Sequence, residues 1–283
     1  MSLLSTIEDM RRVQQERQSL RRNFLTKREI LGDNTAPSVI WSAFTGECLR
    51  FDKKSPWYSP NMDVNLIYRD GLTPLMIAAW NNRVEYCENL LMKGADFTKV
   101  GHFYGSPMTA MMFAIGRDNY RVVKSLFEYG DDPNSLARVR EHEFSLVAYA
   151  IDHQAYQTIP ILIQYGADFN QSDIHELSPI HKVCLQIPEE KLSHRFTRDI
   201  DMQRDDVLSM LESLLSTHAV IRNRRECRGL TPLHLAAYTG CVQAVEMLVE
   251  AGESASFVDE TKQLPSHYTR HPRVRLYLQE CEG

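Results

Sequence analysis

Thr231-Pro232-Leu233-His234-Leu235-Ala236-Ala237 decides how this chain is read, because Thr73-Pro74-Leu75-Met76-Ile77-Ala78-Ala79 repeats it with two changes. Both stretches describe the start of a helix. Proline at the first helical position loses no hydrogen bond, since that N–H has no intrahelical partner. The preceding threonine supplies the cap. The Ala-Ala pair lets a second helix approach closely. A glycine then comes 19 residues after each leucine: Gly94 after Leu75 and Gly252 after Leu233. Glycine at that place provides the left-handed cap that ends a second helix.

The register continues through weaker copies. Thr109-Ala110-Met111-Met112-Phe113-Ala114-Ile115 is followed by Gly130, and Ser145-Leu146-Val147-Ala148-Tyr149-Ala150-Ile151 by Gly166. Ser178-Pro179-Ile180-His181-Lys182-Val183 opens another copy, and Leu264-Pro265-Ser266-His267 begins one that runs out. The anchors Leu75, Met111, Val147, Ile180, Leu233 and Ser266 are spaced by 36, 36, 33, 53 and 33 residues. A degenerate copy precedes them, with a first-helix pattern over Val39 to Gly46 and Asn61-Met62-Asp63-Val64-Asn65 at its end. The second helices carry apolar residues at helical spacing, such as Val122, Val123, Leu126 and Phe127. No such unit buries its face alone, so neighbours must stack.

The motif T-P-L-H-x-A and its period resemble the ankyrin-repeat family from about residue 39 to 278. The resemblance implies an all-α fold, a solenoid of about six to seven helix-turn-helix units, with an N-terminal helix added to it. The domain division expected is 1–34 for an amphipathic helix and 35–283 for the repeats, with an insertion at about 186–206. Ala110 and Leu146 replace the motif's proline, and Met76 and Met112 its histidine, which puts those helix starts in question. His181, His234 and His267 hold the histidine position, where the family braces one repeat against the next.

Composition narrows the function. Hydrophobic residues make up 43% and charged residues 24% of 283, as in ordinary soluble domains. The net charge of −5 gives no bulk attraction to nucleic acid or anionic lipid. The apolar run Met108–Ile115 is too short to span a bilayer. Six cysteines lie scattered without a CxxC pair, which fits free thiols in a reducing cytoplasm or nucleus.

In the family, finger-like hairpins and first helices form a concave surface on which partners bind. The three-residue expansions fall in fingers at Val100–Ser106 and Leu136–Glu143. Phe103 and Tyr104, between Gly101 and Gly105, are candidate anchors for a partner, against the alternative that they pack on neighbouring fingers. Trp80 and Tyr238 come directly after the Ala-Ala pair and border the groove, where the competing role is packing between repeats. Arg222, Arg224 and Arg225, with Arg228, offer a basic contact for an acidic segment. The competing account pairs that finger with Glu253, Asp259 and Glu260 of the next.

Twenty extra residues separate the two helices of the fourth motif-bearing unit, near Gln186–Asp206. Pro188 stops the first helix. Leu192, Phe196 and Ile200 recur every four residues and suit a short amphipathic helix; the insertion reads as an extended second helix with a solvated loop, against the alternative of a second partner site. At the N-terminus Leu3, Ile7, Met10, Val13, Leu20 and Phe24 form a helical stripe expected to cap the open end of the stack, against the alternatives of a coiled-coil partner helix and a membrane-surface helix.

No GxSxG, HExxH, phosphate loop or kinase motif occurs, and no His-Cys spacing matches a zinc site. The expectation is a non-enzymatic interaction scaffold or adaptor, monomeric, without catalytic residues, metal or cofactor, that binds a protein and not nucleic acid. Three alternatives differ in consequence or class. One is an effector delivered by an intracellular bacterium into the host cytosol. One is a regulatory subunit of an enzyme. The last is an enzyme, which neither nonrepeat segment is long enough to house.

Overall fold

The computed structural model describes residues 38–45, 63–103, 106–139, 142–172, 177–188, 198–217 and 228–282. The N-terminal stripe from Leu3 to Phe24 and the insertion residues 189–197 lie outside them. The described residues divide between two compact bodies, one within Gln18–Ala167 and one within Asp168–Gly283.

The N-terminal body alternates inner and outer helices. It contains α1 (Ser38–Thr45), α2 (Pro74–Trp80), α3 (Val84–Met92), α4 (Ala110–Gly116), α5 (Tyr120–Glu128), α6 (Leu146–Asp152) and α7 (Thr158–Gln164). The inner helices α1, α2, α4 and α6 pack in sequence, and the outer helices α3, α5 and α7 pack behind them. Two fingers are antiparallel hairpins: β1 (Gly101–Phe103) with β2 (Ser106–Met108), and β3 (Leu136–Val139) with β4 (His142–Ser145). These hairpins occupy the expanded fingers anticipated from the 36-residue spacings, and they add short strands to a mostly helical fold.

The helix starts survive the motif departures. Thr109 Oγ1 accepts from Met112 N at 3.3 Å and Ser145 Oγ from Ala148 N at 3.1 Å, so α4 and α6 begin without proline. Met76 takes over part of the histidine's role: its Sδ accepts from Thr73 N at 3.5 Å. The side chains of the repeat motif are buried, Leu75, Met111 and Val147 among them. Gly94, Gly130 and Gly166 adopt φ of 83°, 98° and 78° at the ends of the outer helices, as their period demands.

The C-terminal body contains α8 (Pro179–Gln186), α9 (Arg198–Leu215), α10 (Pro232–Thr239), α11 (Val242–Glu250), α12 (Pro265–Tyr268) and α13 (Pro272–Cys281). Here α8, α10 and α12 form the inner row and α9, α11 and α13 the outer row. The outer helix α9 has 18 residues and starts at Arg198, so it takes in the end of the insertion. The last repeat is shortened in its inner helix, α12, of four residues, while its outer helix α13 runs for ten. Pro272 opens that outer helix, whose Val274 and Leu278 are buried.

Candidate functional site

The inner helix α2 ends on Trp80, and the finger strand β1 ends on Phe103. The structure brings these two together with Phe113 of α4. Ring centroids lie 5.4 Å apart for Trp80 and Phe103, 5.7 Å for Trp80 and Phe113, and 5.6 Å for Phe103 and Phe113. Tilted and edge-on contacts at such distances add to the burial of the rings. The Arg117 guanidinium, just past α4, sits 5.0 Å over the Trp80 ring. Burial draws the Arg117 pKa down, but an arginine so placed stays cationic. Trp80 itself is 8% exposed, while Phe103 and Arg117 keep intermediate exposure. The corner between finger and helix thus presents an aromatic edge beside a cation.

Close backbone approach fixes the finger over this corner. A Cβ on Gly101 would lie 2.9 Å from Met76 Sδ and 3.1 Å from Gly71 O, so only glycine lets β1 settle on α2 and on the preceding finger. From above, Asn119 Nδ2 donates to Ala79 O at 2.6 Å and Trp80 O at 3.2 Å, holding the C-terminus of α2.

Of the residues named from sequence, Trp80 and Phe103 meet in this cluster. Tyr238 lies in the C-terminal body with intermediate exposure near the end of α10. Tyr104, Arg222, Arg224 and Arg225 lie outside the described residues. The finger beyond the arginines does not have the acidic character its sequence suggests. Glu253 and Asp259 are both buried. Asp259 accepts from Thr261 N and Gln263 N, both at 2.8 Å, from Thr261 Oγ1, and from the Tyr268 hydroxyl. Burial raises the Asp259 pKa, but these donors outweigh it and hold the carboxyl below its usual value. The pairing expected between the two fingers therefore keeps one exposed acid, Glu260.

The buried motif histidines His181 and His234 and the buried cysteines Cys87 and Cys184 are accounted for by packing. Thr231 N donates to His234 Nδ1 at 3.1 Å, which leaves Nε2–H to donate to Gln263 O at 3.2 Å. His181 repeats the arrangement, with Ser178 Oγ 2.7 Å from Nδ1 and Leu230 O 3.1 Å from Nε2. Burial, with Glu253 and Cys241 nearby, pushes the Cys184 thiol far above the ordinary range, and burial does the same to Cys87. Protonated buried thiols are poor nucleophiles. Among the described residues, no three His, Cys, Asp or Glu side chains gather as a metal site would require.

The sequence model of the family described as "Ankyrin repeat" matches residues 70–101 and 228–261, each span enclosing one of the two strong motifs. These are ankyrin repeats. Solved structures carry the same fold over most of the chain. The ankyrin repeat domain of human ASB11 matches with a TM-score of 0.62 and 19% identity, covering 88% of this chain and 98% of that one. The ankyrin repeat domain of Bcl-3, described as a unique member of the IkappaB protein family, matches with a TM-score of 0.65 and 20% identity, covering 87% and 99%. No curated protein sequence matches this chain. Ankyrin repeats generally mediate protein–protein interaction and are typically non-enzymatic. Among the described residues no helix is long and apolar enough to cross a membrane.

Within this ankyrin frame, sequence reasoning missed Phe113 and Arg117. Phe113 stands at the motif position of Ile77 and Leu235 and, like them, is buried, so it supports the Phe103 ring from the core side. Arg117 comes just after the last residue of α4, and nothing in its spacing announces an aromatic neighbour.

Proposed function

We propose that this ankyrin-repeat chain is a non-enzymatic scaffold that engages one protein partner through its inner helices and fingers. The observation that carries the reading is the corner of Trp80, Phe103, Phe113 and Arg117. Aromatic and arginine side chains held rigidly at an open angle are the residue types that dominate binding hot spots. Trp80 and Phe113 are buried and act by holding Phe103 in place, so Phe103 and Arg117 are the accessible part of the corner. Phe103 with Tyr104, Tyr238, and the arginines Arg222, Arg224 and Arg225 complete the proposed contact set. The place of action is the cytoplasm or nucleus. A delivered bacterial effector and a regulatory enzyme subunit would use the same surface chemistry and differ only in which protein they hold.

Site-specific photo-crosslinking tests this. A benzophenone amino acid at position 103 or 238 is expected to capture one defined protein. The same probe at exposed outer-helix positions 121 or 243 is expected to capture none. Phe103→Ala, with helicity retained, is expected to weaken that capture at least tenfold. Equal capture at all four positions, or capture unaffected by Phe103→Ala, overturns the reading.

A further inference from the structure

The fingers of the N-terminal body share one turn, and that turn places equivalent residues side by side. Asp63 Oδ1 accepts from Asn65 N at 2.9 Å, Asp96 Oδ1 from Thr98 N at 2.9 Å, and Asp132 Oδ1 from Asn134 N at 2.8 Å. Each is an Asx turn, which fixes the register of the finger residues beyond it. Four residues beyond the three aspartates stand Ile67, Val100 and Leu136, which are 64%, 50% and 48% exposed. One such residue is ordinary; three at the same position of successive fingers form an apolar row. Six residues beyond the aspartates stand Arg69, His102 and Arg138, with Arg69 and His102 exposed. Val100 and His102 lie two apart on an extended segment and so share a face, and Arg69 opens a 3-10 turn at the same place in the preceding finger, which sets basic residues beside the apolar row. Lys99 precedes Val100. The one acid at the fourth to seventh positions of these fingers is Asp70, and the turn aspartates are already hydrogen-bonded to their own loops.

The spacing of the rows sets the geometry of what can lie on them. Gly71 and Gly101 touch, a Cβ on Gly71 lying 3.3 Å from the Gly101 Cα, so successive fingers are in direct contact. Packed helices such as α2 and α4 are separated by about 8–10 Å, and the fingers step with them. A polyproline-II segment advances about 3.1 Å per residue and turns once every three, so every third side chain returns to the same face. Three of its residues span one finger.

We infer that the fingers of residues 63–72, 96–102 and 132–139 form a recognition edge for an extended protein segment with an apolar residue at every third position and acidic residues between. The apolar residues lie against Ile67, Val100 and Leu136, and the acids face the row that holds Arg69 and His102. The inference rests on the scaffold reading and names the chemistry of its partner.

Two synthetic twelve-residue peptides are the probe, both with leucine at every third position, one with glutamate and one with lysine elsewhere. Fluorescence anisotropy against the full chain is expected to show at least tenfold tighter binding of the glutamate peptide. Val100→Asp, and separately Ile67→Asp with Leu136→Asp, are expected to weaken it at least tenfold. Exposed positions allow these changes without loss of fold, checked by circular dichroism. Arg69→Glu with His102→Glu is expected to reverse the preference toward the lysine peptide, which mere structural damage would not do. Equal binding of both peptides, no reversal, or equal binding of a peptide with leucine at every fourth position overturns the inference. So does a concentration-dependent dimer that Val100→Asp dissociates, because the occupant is then a second copy. Crosslinks at 103 and 238 with a silent finger row refute the row alone. Peptide binding without those crosslinks refutes the inner-helix site alone.

Discussion

In the C-terminal body, His181 and His234 reach from the inner helices to the backbone of the next finger, at Leu230 O and Gln263 O. In the N-terminal body the same motif positions hold Met76, Met112 and Ala148, which cannot make that bond. Neighbouring repeats are tied there from the turn between helices. Asn119 caps α2 of the preceding repeat. Asp118 caps α7 of the next one, accepting from Gln157 N at 3.0 Å, Thr158 N at 2.9 Å and Thr158 Oγ1 at 2.8 Å. In the C-terminal body the turn between α10 and α11 holds Gly240 and Cys241 in place of the Asp-Asn pair. The stacking problem is the same in both bodies. A buried helix end needs a polar partner, and any position that can reach it will serve.

The apolar cores are alike, so the largest expected effect should not distinguish the bodies. Leu233→Ala and Met111→Ala each empty a fully buried site and are expected to cost about 2–5 kcal/mol, measured by chemical denaturation. A near-neutral result at either would show that its repeat is not packed as described.

The polar ties should separate the bodies. His234→Leu leaves Thr231 N without its acceptor, while Gln263 O keeps the Asp259 N–H, and is expected to cost about 1–3 kcal/mol. Met112→Leu conserves volume and strands nothing, so it is expected to cost under about 1.5 kcal/mol. Equal losses would mean that the histidine acts only by filling space.

The legible part of the fold is the part that repeats. The motif at Thr231, the glycines at 94, 130, 166 and 252, and the expanded fingers all recur at a period, and a period is visible in one sequence. The ties do not recur. Asn119 bonds to a carbonyl 40 residues away, and Asp118 to an amide 40 residues away in the other direction. In the sequence both look like polar residues in a solvated turn. The inward turn of Glu253 and Asp259 was hidden for the same reason: an acid in a finger has a charge that can be read and an orientation that cannot. The Trp80 and Phe103 contact joins two candidates that the sequence placed on separate elements.

Asp118 offers a smaller and cleaner test of the turn. It sits at φ 56°, as Asn82 does at 55°, so glycine at either place removes strain as well as a side chain. Asp118→Gly is expected to cost about 1–2 kcal/mol, the usual worth of a helix cap. Asn82→Gly, on an exposed turn, is expected to stay within about 0.5 kcal/mol of the parent. If both cost the same, the capping bonds to α7 contribute nothing to the N-terminal body.

The smallest expected effect is a pair of opposite pH dependences, one in each body. Asp131 sits just after the glycine that ends α5. Burial, with the Asp132 carboxylate beside it, pushes its pKa up to about 6, against a donated Asp132 N–H that works the other way. A folded pKa above the unfolded value of about 3.9 means the folded state holds the proton longer. Wild type should therefore lose stability relative to Asp131→Asn as pH rises from about 4 to 6, and the difference should be flat above. Asp259 in the C-terminal body is the reverse case. Its donors hold the folded pKa below the usual value in spite of burial. Its contribution is present above about pH 4 and is lost as pH falls through the folded pKa. Wild type should exceed Asp259→Asn by a constant amount at neutral pH, and that margin should shrink in acid. Melting temperatures of the three proteins between pH 3 and 7 decide the matter. Slopes of the same sign would show that the two finger aspartates share one environment, and that hydrogen bonding from Thr261, Gln263 and Tyr268 does not set the second apart.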